Sequence, residues 1–269
     1  MEIKDKIVVV TGGGSGIGAA LCRRFAQDGA RGVAVVDKNE DGARAVAASI
    51  DGLALRCDVS VEAALKSAIA EIEQHFGPID LFCSNAGVAV ADPDLMDPAA
   101  APDSAWALNW GVNLMAHVYA ARALGPKMAA RGSGYFLNTV SAAGLLTAAG
   151  NGTYSTTKHA AVGFAESLAI AYRGRGVGVS ILCPQGVDTP MLRGSSRGSS
   201  DGAMHGPSVA DGILTAEAVA GVVVEGLAAE RFLILPHPEV LEYMRRKTSD
   251  YDRWLRGMGR LHQRLVDNR

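Results

Sequence analysis

Short apolar runs alternate with longer alanine-rich stretches along the chain. The runs at 7–10, 33–36, 53–57, 79–83, 135–140, 177–183 and 232–235 are mostly continuous, with few polar interruptions, rather than alternating. That pattern predicts strands buried on both faces. Between them, 16–28, 40–49, 61–76, 104–130, 154–173 and 216–230 read as helices. Strands separated by helices predict an α/β fold: a doubly wound, seven-stranded parallel sheet flanked by helices on both faces. The runs end in glycine or polar residues, among them Asp37, Asp58, Ser84-Asn85 and Ser141. Polar chemistry therefore collects at the carboxyl ends of the strands, where open α/β sheets bind ligands.

Three segments break this rhythm. Residues 89–103, rich in Pro, Asp and Ala, read as a surface loop. Residues 193–206 (RGSSRGSSDGAMHG) are rich in Gly and Ser and fit a disordered linker or a lid, and their place after the sixth strand favours a substrate lid over 193–215. Residues 239–269 form a helical C-terminal extension. There Tyr251, Trp254, Leu255, Met258, Leu261 and Leu265 recur at helical spacing with Arg253, Arg256, Arg260 and Arg264 between them. Packing on its own domain or a neighbouring subunit is a plainer use of such a face than a membrane surface.

Composition narrows the classes. A length of 269 residues suits a single domain over 1–269. A net charge of −2 and 6% aromatic residues argue against nucleic acid or a membrane as partner. Cys22, Cys57, Cys83 and Cys183 are scattered, with neither a CxxC pair nor metal-ligand spacing. They read as small buried hydrophobes in a reducing compartment, and no metal is expected. The N-terminus runs straight into a strand, unlike a signal peptide, and no apolar stretch is long enough to span a bilayer. The expected location is cytoplasmic.

Thr11-Gly12-Gly13-Gly14-Ser15-Gly16-Ile17-Gly18 joins the first strand to the first helix. Glycines let the backbone turn sharply and approach a pyrophosphate, and the helix N-terminus offers free N–H groups. One or two glycines serve any tight turn; this many, directly after the first strand, point to a dinucleotide. No Lys-Ser/Thr ends the turn, so it is no triphosphatase loop. Asp37 ends the second strand, about 20 residues on, where a carboxylate accepts ribose hydroxyls and repels a 2′-phosphate. Ser15 stands where Arg or Lys would favour that phosphate. Both features favour NAD over NADP, while Lys38 softens the preference.

Tyr154 and Lys158 are four residues apart at the start of a predicted helix and share one face. A nearby ammonium favours the phenolate, tuning Tyr154 down from about 10 toward working pH for proton exchange with an alcohol oxygen. Ser141, at the end of the preceding strand, can hydrogen-bond the same oxygen. Tyr-x-x-x-Lys alone occurs by chance on amphipathic helices. Its weight comes from the glycine turn, Asp37 and Ser141 in order.

With these motifs together, the chain resembles the short-chain dehydrogenase/reductase family as far as about residue 235. That resemblance implies a Rossmann-type domain. TGGGSGIG matches the cofactor turn, Asp58-Val59 the adenine-contacting pair, and Asn85-Ala86-Gly87 the motif after the fourth strand. Asn113, Ser141, Tyr154 and Lys158 match the catalytic tetrad. The implied roles are a general acid–base at Tyr154, beside the cofactor, and a substrate-orienting hydroxyl at Ser141. Lys158 would lower the phenol's pKa and hold the nicotinamide ribose, and Asn113 would bind a relay water through its backbone. Pro184, Val187 and Thr189 would frame the nicotinamide end. Hydride would pass between the cofactor and the carbinol carbon without a metal. Gln185 interrupts the usual Pro-Gly, and Ser84 replaces an asparagine. A homo-oligomer, tetramer or dimer, is also implied.

The substrate side reads as apolar. Ala142, Ala143, Gly144, Leu145 and Leu146 follow Ser141, and Met191, Leu192 and Met204 lie on or next to the lid. Ala143, Gln185 and Met191, with Ser141, are the candidate substrate contacts. The expected substrate is an uncharged, fairly hydrophobic secondary alcohol or ketone, with a sugar or polyol as the alternative. A non-catalytic NAD-binding sensor or scaffold is the contrasting class. Epimerases and enoyl reductases need a different glycine turn or a wider Tyr–Lys spacing.

Overall fold

The computed structural model describes residues 1–195 and 211–267; most of the expected lid, with Met204, lies outside the described residues. Seven strands, β1 (Ile7–Thr11), β2 (Gly32–Asp37), β3 (Leu53–Arg56), β4 (Leu81–Ser84), β5 (Gly134–Thr139), β6 (Val177–Leu182) and β7 (Leu233–Ile234), form one sheet. Its order is β3-β2-β1-β4-β5-β6-β7, and every pairing is parallel. The chain winds outward from β1 to one edge, then returns to place β4 on β1's other side. The switch between β1 and β4 opens the crevice in which doubly wound folds bind ligands.

Continuous apolar strands form because both faces are covered. Ile7 and Val9 of β1 enter one core with Phe82, Phe136 and Ile181, while Val8 and Val10 enter the other with Leu81, Leu137 and Leu182. α1 (Gly16–Gln27) and α2 (Glu40–Ala48) cover the second face, joined by α8 (Ala216–Ala228). α3 (Glu62–Phe76), α5 (Ala116–Arg131) and α6 (Gly152–Tyr172) cover the first. Each fully buried Val, Leu, Ile or Phe contributes roughly 1.5–3 kcal/mol, so these two layers outweigh local propensity in holding the frame. Capping sets the starts of some helices: Asn39 accepts the Gly42 N–H before α2, and Thr215 accepts the Ala218 N–H before α8.

Two helical expectations change in detail. The helix expected over 104–130 is α4 (Asp103–Trp110) and α5 joined by a π-helical turn, Gly111–Met115, with Asn113 at its centre. The C-terminal extension is two helices, α9 (Glu239–Ser249) and α10 (Tyr251–Asp267). They part at Asp250, which leaves helical geometry and accepts the Arg253 N–H at 2.9 Å, while Thr248 and Ser249 hydroxyls bond back to carbonyls of α9. Short polar side chains here compete with the helix ladder and win. No described residue of α10 is fully buried; along its apolar stripe Trp254, Met258, Leu261 and Leu265 are half-buried, while Tyr251 and Leu255 are exposed. Among the described residues, no helix is long and apolar enough to cross a membrane.

Candidate active site

The glycine turn takes its shape from the chain it must avoid. Gly12 has φ +65°, and a Cβ there would stand 2.9 Å from the Ala86 Cα. Gly18 lies in the first turn of α1, where a Cβ would overlap the Gly12 carbonyl and crowd the Asn85 amide. These contacts seat the N-terminus of α1 against the ends of β1 and β4, with Ser15 exposed at its N-cap and Ile17 half-buried on the second core. Gly16 faces Thr189, which caps the start of α7 (Pro190–Ser195) by accepting the Leu192 N–H. A cleft of about 360 Å³ opens here, lined by Gly14, Ser15, Gly16, Arg23, Pro190 and Arg193. A side-chain-free turn at a helix N-terminus fits a dinucleotide's pyrophosphate.

Asp37 stands at the outer end of this cradle. Its carboxylate accepts the Gly14 and Asn39 N–H groups, both at 2.9 Å. Lys38 turns away from it and pairs with Asp58 at 2.7 Å. The Lys38 bond, with a further bond from Ser60, brings the Asp58 carboxyl down to about 2. Val59 packs into the first core, 5% exposed, so only Asp58 of that pair presents a side chain outward.

A polar chain crosses three strand ends. Thr11 accepts the N–H groups of Asn85 and Ala86 at 2.9 and 3.1 Å. The Asn85 amide donates to the Thr11 carbonyl and accepts the Thr139 hydroxyl at 3.1 Å. The Thr139 carbonyl in turn accepts Lys158 Nζ at 2.9 Å. Lys158 is 2% exposed, and burial brings its ammonium down to about 8. A Cβ on Gly87 would lie 3.7 Å from Lys158 Nζ and 3.4 Å from Asn113 Oδ1, so that glycine keeps the approach to the lysine open.

Tyr154 lies near Ser141, whose hydroxyl donates to the Pro184 carbonyl at 3.5 Å. Burial pushes the Tyr154 phenol above its ordinary value, and the nearby Ser141 partly offsets the rise. The expected lowering by Lys158 is not the governing effect. The ammonium lies 5.6 Å from the ring centroid, over its face, and bonds to Thr139 rather than to the phenol oxygen. Ser141 Oγ accepts the Ala143 N–H at 3.1 Å, which fixes the short helical turn Ala142–Gly144. Asn113 is fully buried; its amide bonds both ways with Val88 and donates to Asn109 and Thr157. It braces the segment after Gly87 from the π turn.

On the other wall, the Pro184 carbonyl accepts the Ala142 N–H at 2.8 Å. Gln185 donates its backbone N–H to His237, while its side-chain oxygen is buried without a partner and so is not turned to solvent. Val187 is buried and bridges to Leu214. The Met191 methyl lies 3.8 Å from the Gly87 Cβ position, at the lysine end of the site. Ala143 is buried, 7% exposed.

Sequence reasoning missed Thr11, Thr139 and His117. Thr11 and Thr139 each end a strand, and that position was their signal. His117, one turn beyond Asn113, is buried with Nδ1 3.1 Å from Asn138 Oδ1; burial and then the charge of Lys158 bring its ring down to about 3.

A glycine cradle at the switch point and a Tyr–Ser–Lys group at the same strand ends define a nucleotide-dependent oxidoreductase. The short chain dehydrogenase family model matches residues 6–199. The chain is 33% identical to 1-deoxy-11-beta-hydroxypentalenate dehydrogenase of Streptomyces exfoliatus, over 93% of this chain and 90% of that protein. It is 34% identical to 3beta-hydroxysteroid dehydrogenase of Mediterraneibacter gnavus, over 71% and 70%. A short-chain dehydrogenase/reductase of Burkholderia phymatum, solved in complex with NAD, superposes with a TM-score of 0.82 at 28% identity, covering 94% of this chain and 96% of that one. The chain belongs to the short-chain dehydrogenase/reductase family. It is an oxidoreductase with a nicotinamide cofactor and a hydroxyl or ketone substrate.

Proposed function

We propose that the protein is an NAD-dependent dehydrogenase or ketone reductase acting on an uncharged, fairly hydrophobic secondary alcohol or ketone. The observation that carries this reading is buried Lys158, bonded to the Thr139 carbonyl with its ammonium 5.6 Å from the Tyr154 ring centroid, beside Ser141 and at the same strand ends as the glycine turn. Gly12, Gly16, Gly18, Asn85, Ala86, Gly87, Val187 and Thr189 would frame the dinucleotide, with Asp37 and Asp58 at its adenosine end. Asp37 supports NAD because a carboxylate at a ribose repels a 2′-phosphate. When bound, the nicotinamide ring supplies or accepts the hydride.

The chain's own residues manage the proton and the geometry. Tyr154 Oη gives a proton to the carbonyl oxygen in reduction and takes it from the hydroxyl in oxidation. Ser141 Oγ orients that oxygen. A charged Lys158 stabilises the phenolate as it forms, which offsets the burial that holds the resting phenol protonated. The Asn113 backbone would hold a relay water leading from Lys158. Ala143, Leu145 and Leu146 supply apolar surface for the carbon skeleton, and the hydroxypentalenate and hydroxysteroid relatives support such a substrate. We also propose a homo-oligomer, because Leu108 and Trp110 on α4 and Ile170 on α6 expose apolar surface; a solution mass of one chain by light scattering would overturn that.

The test is nicotinamide absorbance with NAD or NADP and a panel of secondary alcohols, including cyclic and steroidal ones. Faster NADH formation than NADPH formation is expected. Tight NADH binding without turnover of any panel member would overturn this reading in favour of a non-catalytic binder.

A further inference from the structure

Lys247 reaches from the C-terminal extension to the reacting end of the fold. It lies on α9, 7% exposed, and donates to the carbonyls of Leu145 and Leu146, each at 2.9 Å. Its third neighbour is His159 Nε2 at 3.4 Å. His159 Nδ1 lies 2.9 Å from the Ser155 carbonyl, which can only accept, so that nitrogen carries the proton and Nε2 offers a lone pair to the ammonium. All three N–H groups of Lys247 are thereby directed. Tyr251 and Trp254 of α10 place their rings 5.5 and 5.1 Å from the ammonium. Among the described residues, no carboxylate pairs with it.

The two elements so joined carry the two groups that must meet at the substrate oxygen. Leu145 and Leu146 end the turn that begins at Ser141, and both their N–H groups bond back to Ala142. His159 lies on α6 beyond Tyr154. The loop also closes on α6 through Ala148, whose N–H and carbonyl both bond Ser155 Oγ. α9 is tied at its other end, where His237 Nδ1 accepts the Gln185 N–H at 3.2 Å. In mid-helix, Tyr243 donates to Asp211 at 2.8 Å. α9 thus spans from the segment after β6 to the loop after β5.

We propose that Lys247 is a positioning residue: it latches the C-terminal extension onto the Leu145–Leu146 loop and fixes the substrate wall and Ser141 relative to Tyr154. The proposal rests on the reading of Ser141 and Tyr154 as the substrate side of the site. It places no part of Lys247 at the dinucleotide.

The experiment compares wild type with Lys247→Met and Lys247→Arg, all well below their melting temperatures. Three quantities are measured: NADH affinity by fluorescence titration, steady-state kinetics with an alcohol the wild type oxidises, and backbone hydrogen exchange of the protein without dinucleotide. Hydrogen bonds from a charged donor are strong enough that Lys247→Met should raise KM for the alcohol roughly tenfold, with NADH affinity within about twofold of wild type. Exchange should quicken over residues 142–148 and stay unchanged over 12–18, and Lys247→Arg should recover part of each effect. Unchanged KM and unchanged exchange over 142–148 would overturn the latch, as would an equal loss of NADH and alcohol binding. If the wild type oxidises no alcohol in the panel, the functional reading fails by itself. The exchange comparison then decides the latch: faster exchange over 142–148 supports it and equal exchange overturns it.

Discussion

The dinucleotide cradle and the substrate wall lie at the same edge of one sheet but are built differently. The cradle is made of backbone and small side chains on adjacent strand ends: Gly12 against Ala86, Thr11 against Asn85, Asp37 against Gly14. The proposed substrate wall is a loop held by backbone and serine bonds to its neighbours and, from a distant element, by Lys247 on Leu145 and Leu146. A cradle fixed by the sheet tolerates little change and serves one ligand shape. A wall fixed by a few tethers can be rebuilt without disturbing the sheet, which is how one fold serves many substrates.

Substitutions on each side should separate the two regions. The largest effect is expected from Tyr154→Phe, which removes the proton donor; turnover should fall by about 10²–10⁴-fold while NADH titration shows binding retained. Loss of NADH binding in that variant would mean the regions are not separable there. Next is Gly18→Ala on the cradle side. Its methyl overlaps the Gly12 carbonyl, so thermal or denaturant unfolding should show a loss of roughly 1–3 kcal/mol, and dinucleotide affinity should drop with it. Asp37→Asn should leave stability nearly unchanged but shift the kcat/KM ratio for NAD over NADP toward NADP by roughly tenfold or more, since a charged hydrogen-bond partner is lost. A ratio unmoved by Asp37→Asn would remove the carboxylate as the basis of cofactor choice.

A pH-dependent effect away from both regions sharpens the boundary. Burial holds His117 at about 3 against an ordinary 6.5, so folding requires the neutral ring. Its contribution to stability is full above pH 6.5 and is lost as pH falls toward 3. The stability difference between wild type and His117→Asn, measured by denaturant unfolding at several pH values, should therefore narrow across that window. A constant difference would show that the ring is not buried neutral.

What was legible in the sequence follows the same division. The glycine turn, Asp37 and the Tyr154–Lys158 pair are local patterns with a required geometry, and the strand runs announce a sheet covered on both faces. The π turn at Asn113 was not legible, because Gly111-Val112-Asn113 continues an ordinary helical pattern and the extra residue per turn leaves no compositional mark. Lys247 looks like any surface lysine of a polar helix; only tertiary contacts with Leu145, some hundred residues away, reveal its burial. The break at Asp250 had a signal in Thr248-Ser249-Asp250, three side chains that bond to backbone. The direction of the Tyr154 pKa was misjudged because spacing on a helix gives proximity but not burial, and burial dominates here.

The pairing of β1 with β4 sets Val8 beside Leu81, and the intervening chain must first fold back through β2 and β3. Contacts of such long sequence separation close late in folding. Ligand competence is therefore an end-stage property of this chain. In refolding from denaturant, recovery of NADH fluorescence enhancement should trail recovery of helical circular dichroism, which makes the cradle a reporter of the completed sheet.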